Sequence, residues 1–341
     1  MPAPHLPTAF ATPIVNPAIG SVGAPPIPYI SISEFSFAPT GLGRLGLART
    51  PSKNPQTLAD TIRRASVWAD TIVFGTDPSA QGVSLAASFT VQSGWVKANA
   101  GEIRLLCNYK PIIEVVGVTL GSGPAHLTPL VSTIRNTIVI QTRTITVPFN
   151  GAIYRSGDLP SWGPIGNIRG RVYAVWSYVN GYPHTKLLTN VAAGATSCKV
   201  SSTDGAGGLW GVYKATGAFL GSQLRVVDQA NTENVFVTGV TKTSTSVTTL
   251  TTSPFRNAHT IPGDPDFSPV TAIPEDVHEA VISFTSMLIK LRGTIAQEMP
   301  ASPTLTPSDR QVFAQAGALE DYEIGLRLIK RYRVVATKSL V

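Results

Sequence analysis

Charge is scarce in this chain. Asp, Glu, Lys and Arg make up 14% of its 341 residues, against about 25% in ordinary soluble domains. Two explanations fit: an exterior largely covered by partners, or a β-rich protein full of Thr, Ser and Val. Cysteine is scarcer still. Cys107 and Cys198 stand far apart in strand-like segments, with no CxxC and no disulfide framework, which points to a reducing compartment. No apolar run approaches the ~20 residues of a membrane-spanning helix, and the first residues lack the charged and apolar regions of a signal peptide. These absences lead to the expectation of a protein assembled in a cytoplasm and without membrane contact.

Catalytic signals are missing too. The five histidines, His5, His126, His184, His259 and His278, have neither cysteine nor second histidine at metal-ligand spacing. His278 reads as the exposed side of a helix and the others as loop or arm residues. Asp264-Pro265-Asp266 lacks the spaced ligands and closing glutamate of an EF-hand. Gly205-Ala206-Gly207-Gly208 has no following GK[ST] and reads as a turn. No GxSxG is present. The expectation is a non-enzyme with no metal and no cofactor.

Glycine (30) and proline (27) are plentiful, as in a protein of many turns and arms. Met1 to Thr50 is rich in Pro, Ala and Gly, with no helical or strand period. It reads as an extended arm without a core of its own, leaning on a neighbouring subunit, so that deleting it leaves the fold intact. After it, Leu58, Ile62, Ala65, Ala69 and Ile72 repeat at helical spacing. Asn54 and Pro55 open that helix and Gly75 closes it, with Asp60, Arg63, Arg64 and Asp70 on a solvated or interfacial side.

The pattern then turns to strands. Val83 to Val91, Gly94 to Lys97, Glu102 to Cys107 and Ile112 to Leu120 read as a meander. Thr137 to Val147 alternates as a single half-buried strand, and Arg171 to Tyr178 leads into the Asn180-Gly181 turn. Short strands around Thr196 to Val200, Gln223 to Val227, Glu233 to Val240 and Ser246 to Thr251 suggest a small barrel or sandwich. Helices return at the end. One starts at Pro274-Glu275-Asp276 and runs through Val277, Val281, Phe284, Leu288 and Leu291. Another runs from Thr306 to a basic end, with Glu320 to Glu323 near a helix start.

The expected fold class is therefore α+β, a small helical core formed by both ends of the chain with a large antiparallel β insertion. Its expected parts are an arm (1–50), a discontinuous helical core (51–80 and 272–341), a β region (81–185) and a small barrel or sandwich (186–271). Net charge is +7 and the pI about 9.5, yet the basic residues are spread out. Only Arg327, Lys330, Arg331, Arg333 and Lys338 form a run, which marks either a partner interface or a solvated helix end complementing its own dipole. Trp95, Trp162, Trp176, Trp210, Tyr173, Tyr178 and Tyr182 cluster in the β part, as core, as subunit interface or as a carbohydrate-binding platform.

The order of features is itself informative. The helix carries Ala65-x-x-x-Ala69-Asp70-x-Ile72-x-x-Gly75. Arg104-Leu105-Leu106-Cys107-Asn108-Tyr109-Lys110-Pro111 follows, then Tyr173-Ala174-Val175-Trp176-Ser177-Tyr178. Leu224-Arg225-Val226-Val227-Asp228 and Thr232-Glu233-Asn234-Val235 precede Ile273-Pro274-Glu275-Asp276-Val277 and Leu288-Ile289-Lys290-Leu291-Arg292-Gly293. From about Thr50 to Val335 this resembles the head-to-tail adaptor (connector) proteins of long-tailed double-stranded DNA phages that carry a β insertion. The resemblance implies a structural virion protein, assembled in the host cytoplasm, with no catalysis and no cofactor. It implies a homo-oligomeric ring, a dodecamer, docked under the portal protein and receiving a tail-side neck or tail protein. DNA would pass through the lumen without sequence-specific binding. A tail-terminator or minor tail protein, or a carbohydrate-binding β module, are the alternatives.

Overall fold

The computed structural model describes residues 27–40, 42, 55–74, 84–99, 102–130, 138–141, 143–148, 170–201, 223–228, 231–244, 246–291 and 306–333. The class is α+β. Among the described residues its α-helices are α1 (Ile32–Phe37), α2 (Pro55–Phe74), α3 (Glu275–Lys290), α4 (Pro307–Gln315) and α5 (Leu319–Ile329).

The two ends of the chain do meet in one core. The stripe of α2 buries Leu58, Ile62, Ala65, Ala69 and Ile72 against Val277, Val281, Phe284 and Leu288 of α3, and α5 adds Tyr322, Leu326 and Ile329. Phe284 is the hub. Its ring meets Trp68 edge-on at 4.6 Å, Trp68 lies 5.7 Å from Tyr322, and Gly325 allows the approach because a Cβ there would overlap the Phe284 ring. The expected single C-terminal helix is two, broken at Gly317, which adopts φ +65°, a conformation that costs glycine little. The expected caps Asn54 and Gly75 lie outside the described residues.

The N-terminal arm differs from its expected form over its described part. Residues 27–40 and 42 are folded onto their own chain: Tyr29, Ile30, Phe35 and Leu42 are all buried in the helical core. A capping box explains why so short a helix as α1 forms, since Ser31 caps the Glu34 N–H while the Glu34 side chain reaches back to Ser31. The Tyr29 hydroxyl donates to both oxygens of Asp70 (2.6 and 2.7 Å), and the Leu85 N–H donates to the same carboxyl at 2.8 Å. Asp70 is thus no solvated residue. It ties the N-terminal segment, α2 and the entry to the β region together.

Between the helices lie two sheets. The first comprises β1 (Ser88–Asn99), β2 (Glu102–Leu106), β3 (Ile112–Gly123), β4 (His126–Pro129), β5 (Val139–Ile140), β6 (Thr144–Pro148) and β7 (Gly170–Asn180). Their order is β4-β3-β7-β1-β2-β6-β5, and the sheet curls so that β5 comes back near β3. Its interior holds Ile103, Leu105, Val118, Leu120, Ile145, Val147, Val172, Trp176 and Tyr178. The run Thr137 to Val147 is a hairpin rather than one strand: β5 pairs antiparallel with β6, closed by the Gln141 N–H donating to Thr144 O at 2.9 Å. Alternation survives the turn, so it did not reveal it.

The second sheet contains β8 (His184–Lys186), β9 (Ser197–Ser201), β10 (Gln223–Val226), β11 (Glu233–Lys242), β12 (Val247–Thr252) and β13 (Pro269–Thr271), ordered β8-β13-β10-β11-β12-β9. A Leu187–Val200 bridge and the Thr185 hydroxyl donating to Ser201 O at 2.7 Å bring its edges together as a small barrel. An ion-pair seam joins barrel to helices. Arg63 of α2 contacts Asp264 at 2.9 Å and Asp266 at 3.0 Å, Lys186 also pairs with Asp266, and Arg225 pairs with Glu275.

Candidate partner interface

Acidic Glu320 and Asp321 open α5 and Arg327 closes it, so each end carries the charge that complements the helix dipole. The chain then makes one 3-10 turn, Lys330–Tyr332. Arg327, Lys330, Arg331 and Arg333 are all exposed at this tip, and Lys338 lies outside the described residues.

The tip is not uniform. Arg331 pairs with Asp276 in the first turn of α3, and its guanidinium sits 5.1 Å over the Tyr332 ring. The Tyr332 hydroxyl donates to the same Asp276 carboxylate at 3.4 Å, and its ring meets Tyr182 edge-on at 6.4 Å. Arg331 therefore fastens the 330–332 turn to α3. Arg327 and Lys330, three residues apart on one helix face, and Arg333 are exposed, with no ion pair to another described residue. Spacing alone could not separate these roles, because Asp276 is distant in sequence.

The remaining candidates resolve into structural groups. His278 is fully buried rather than exposed, with its Nδ1 3.0 Å from Glu34 of α1: α1 covers the side of α3 that sequence periodicity left open. His184 is buried in β8, edge-on to Tyr29 at 5.4 Å, with Nε2 3.3 Å from the Ile27 carbonyl. Burial, with His278 nearby, pushes it down to about 4. His259 is also buried, its ring nitrogens 3.2 Å from Asp228 and 2.9 Å from Glu233. It pins the 253–261 loop to the barrel. His126 begins β4, and His5 lies outside the described residues.

Asp264 and Asp266, considered above as a calcium loop, are neutralised by Arg63 and Lys186. Burial works to raise the Asp266 carboxyl, and these two cations outweigh it and hold it below its ordinary value. No cluster of metal-ligating side chains occurs among the described residues. Burial pushes both Cys107 and Cys198 up to about 12, which keeps them as thiols, the unreactive form.

Of the aromatics, Trp176 and Tyr178 are core residues, Tyr182 packs against the helical core, and Trp162, Trp210 and the Gly205 to Gly208 cluster lie outside the described residues. Trp95 is half-exposed, edge-on to Tyr173 at 5.4 Å, which is not the coplanar platform a sugar ring stacks on. No protein-family model matches this chain, and no curated protein or solved structure matches it either.

Proposed function

We propose that this protein is a structural virion component, a head-to-tail adaptor that forms a ring beneath the portal of a long-tailed phage and links capsid to tail. The observation that carries this reading is the discontinuous helical core, in which α2 packs on α3 and α5 with the whole β insertion between them. That order matches the adaptor resemblance from about Thr50 onward. The β part is joined to a helical body that displays Arg327, Lys330 and Arg333 where α5 ends, beside the Asp276 start of α3. On this reading the tip meets an acidic surface of the portal protein. A DNA conduit is better served by walls that do not hold phosphates, since each phosphate contact adds affinity through counterion release. DNA passes through the lumen unread, the opposite end receives a tail-side protein, and no cofactor takes part. The protein is assembled in the host cytoplasm and resides in the virion neck.

Electron microscopy of the purified protein, alone and mixed with portal-bearing heads, tests the reading. Rings with a central hole that cap the portal vertex are expected. A monomer that ignores the heads would end it. Arg327→Glu with Lys330→Glu should abolish capping at an unchanged melting temperature, whereas Arg331→Glu should also lower the melting temperature by facing Asp276 with a second carboxylate.

A further inference from the structure

The strands β7, β1 and β2 are neighbours in the seven-stranded sheet, and all three carry the same pair of residue types on their outer side. Arg171 and Tyr173 lie on β7, Lys97 and Trp95 on β1, and Arg104 and Leu106 on β2. In every case the residue between them, Val172, Val96 or Leu105, packs in the sheet's interior.

Strand pairing sets these residues in two rows. Arg171 lies opposite Lys97, and Tyr173 opposite Trp95. The β1–β2 turn, with Ala98 opposite Ile103, brings Arg104 beside Lys97, and Leu106 follows two residues further along the same side. One row is cationic, Arg171-Lys97-Arg104, and the next is apolar, Tyr173-Trp95-Leu106. Strands stand about 4.8 Å apart, and the rows, two residues apart, about 6.8 Å.

Both rows meet solvent. Trp95 is 52% and Leu106 49% exposed, and Lys97, Arg104 and Arg171 are exposed as well. Glu102 engages Arg104 at 2.6 Å, whereas Lys97 and Arg171 have no ion pair among the described residues. Like charges directly opposite each other destabilise a sheet, so an anionic ligand here would relieve a repulsion built into the fold. The Trp95 and Tyr173 rings stand edge-on at 5.4 Å and do not cover each other's faces as a parallel stack would.

We propose that this face binds an unpaired nucleic-acid strand laid across β7, β1 and β2. Its phosphates follow Arg171, Lys97 and Arg104, and its bases lie against Tyr173, Trp95 and Leu106. The arrangement of charge selects this ligand. A single strand carries its negative groups in one line and its flat apolar groups in a parallel line, and sites for it combine a cationic track with aromatic side chains. An acidic protein would match the cations but gives no reason for an apolar row to repeat them strand by strand. Successive bases turn independently about their backbone, so rings set at an angle serve a base where a sugar would need a flat platform. A duplex keeps its bases paired inside and can offer this face only phosphates. The assignment is independent of the adaptor reading, and a duplex moving through a ring would pass the face without stacking on it.

Fluorescence anisotropy of a labelled oligothymidylate, titrated with the full-length protein at several salt concentrations, tests the assignment. Saturable binding is expected, with a slope of log affinity against log salt near about −2 for contacts from three cations. Trp95→Ala should weaken binding about tenfold through lost stacking and leave that slope unchanged, while Trp95→Phe should keep most of the affinity. Lys97→Gln/Arg171→Gln should reduce the slope by about 1.4. Lys199→Gln/Lys242→Gln removes the same charge from exposed positions of the other sheet and should bind like the wild type. If Trp95→Ala melts early, Trp95→Phe and the paired lysine and arginine variant decide, because both retain an aromatic ring beside Tyr173.

The site is overturned if the oligothymidylate does not bind, or if a duplex of equal length binds as tightly. It is also overturned if Trp95→Ala folds normally and binds like the wild type, or if the Lys199/Lys242 variant loses as much as the Lys97/Arg171 one. Displacement of the oligothymidylate by polyglutamate at equal charge would assign the face to an acidic protein instead.

Discussion

The helical core and the small barrel bury similar chemistry in opposite ways. The barrel is built from a contiguous run, 184–271, around Val200, Leu224, Val226, Val235, Val237 and Leu250. The helical core collects stretches from along most of the chain, Leu85 and Tyr109 of the β region among them, and relies on large rings: Phe35, Trp68, Phe284, Phe313 and Tyr322. Closing a long loop costs entropy before any contact returns it. The core therefore rests on contacts between residues far apart in sequence, while the barrel rests on pairing within one run. The difference assigns each region its weak point. The core fails when a segment is missing, and the barrel fails when a clamp is cut.

Removing the residues before Leu47 should sharpen this contrast most. The deletion takes away Tyr29, Ile30, Phe35 and Leu42, all at most 3% exposed, and burial of each such side chain is worth ~1.5–3 kcal/mol. Helical-core amides should lose hydrogen-exchange protection while those of β10 to β12 keep theirs. A fully protected core would show that the N-terminal segment is an accessory after all. Phe284→Ala comes next, with an expected loss of ~3–5 kcal/mol in denaturant unfolding. Gly325→Ala should cost ~1–3 kcal/mol by overpacking against the same ring.

The periodic parts of this fold were readable and the contextual parts were not. The stripes of α2 and α3 follow from their spacing, and the Asn180-Gly181 turn from chemistry, Gly181 adopting φ +100° with Leu85 and Ala86 carbonyls where a Cβ would lie. The packing of Tyr29 and Phe35 left no periodic trace in a Pro-rich segment, and the burial of His278 depends on α1, which that segment supplies. At the candidate interface the basic run was visible, but its division between Arg331 and the other cations required Asp276 to arrive from α3. The exposure of Val91 and Trp95 was hidden for another reason. A strand with apolar residues on both sides, as in β1, looks the same whether its second side meets the core or a partner.

Cutting the clamps should give smaller, local losses. His259→Ala leaves Asp228 and Glu233 without their shared partner, and Arg63→Ala takes the cation from Asp264 and leaves Asp266 with Lys186 alone. Losing a hydrogen bond to a charged group costs ~1.5–3 kcal/mol. His259→Ala should lower protection in the barrel only, whereas Arg63→Ala should loosen the seam and leave both cores near their original stability. Equal loss in all three regions would mean that barrel and helical core unfold as one unit.

Acidity should separate the two regions by the smallest margin. Burial opposes it, but hydrogen bonds from the Arg256 and Asn257 N–H groups and from His259 hold the Glu233 carboxyl below its ordinary 4.5. A carboxyl lowered on folding contributes stability above that ordinary value and loses it as pH falls through the folded one. The barrel should therefore weaken in acid, and Asp266 adds the same trend at the seam. Asp70 runs the other way. Burial raises it from 3.8 to about 7, although Tyr29 and Leu85 donate to it. The folded core then holds that proton more tightly than the unfolded chain, so its contribution is complete below 3.8 and drains away as pH rises toward about 7. His184, lowered from 6.5 to about 4, offsets this between those two values, because its stability is lost as pH falls. Above 6.5 the remaining slope belongs to Asp70. Amide exchange in α2 and α3 followed upward from about pH 6 should show falling protection in the wild type. Asp70→Asn, which keeps an acceptor for Tyr29 and Leu85 but cannot ionise, should flatten it. A slope that survives in Asp70→Asn would place the titrating group elsewhere in the core.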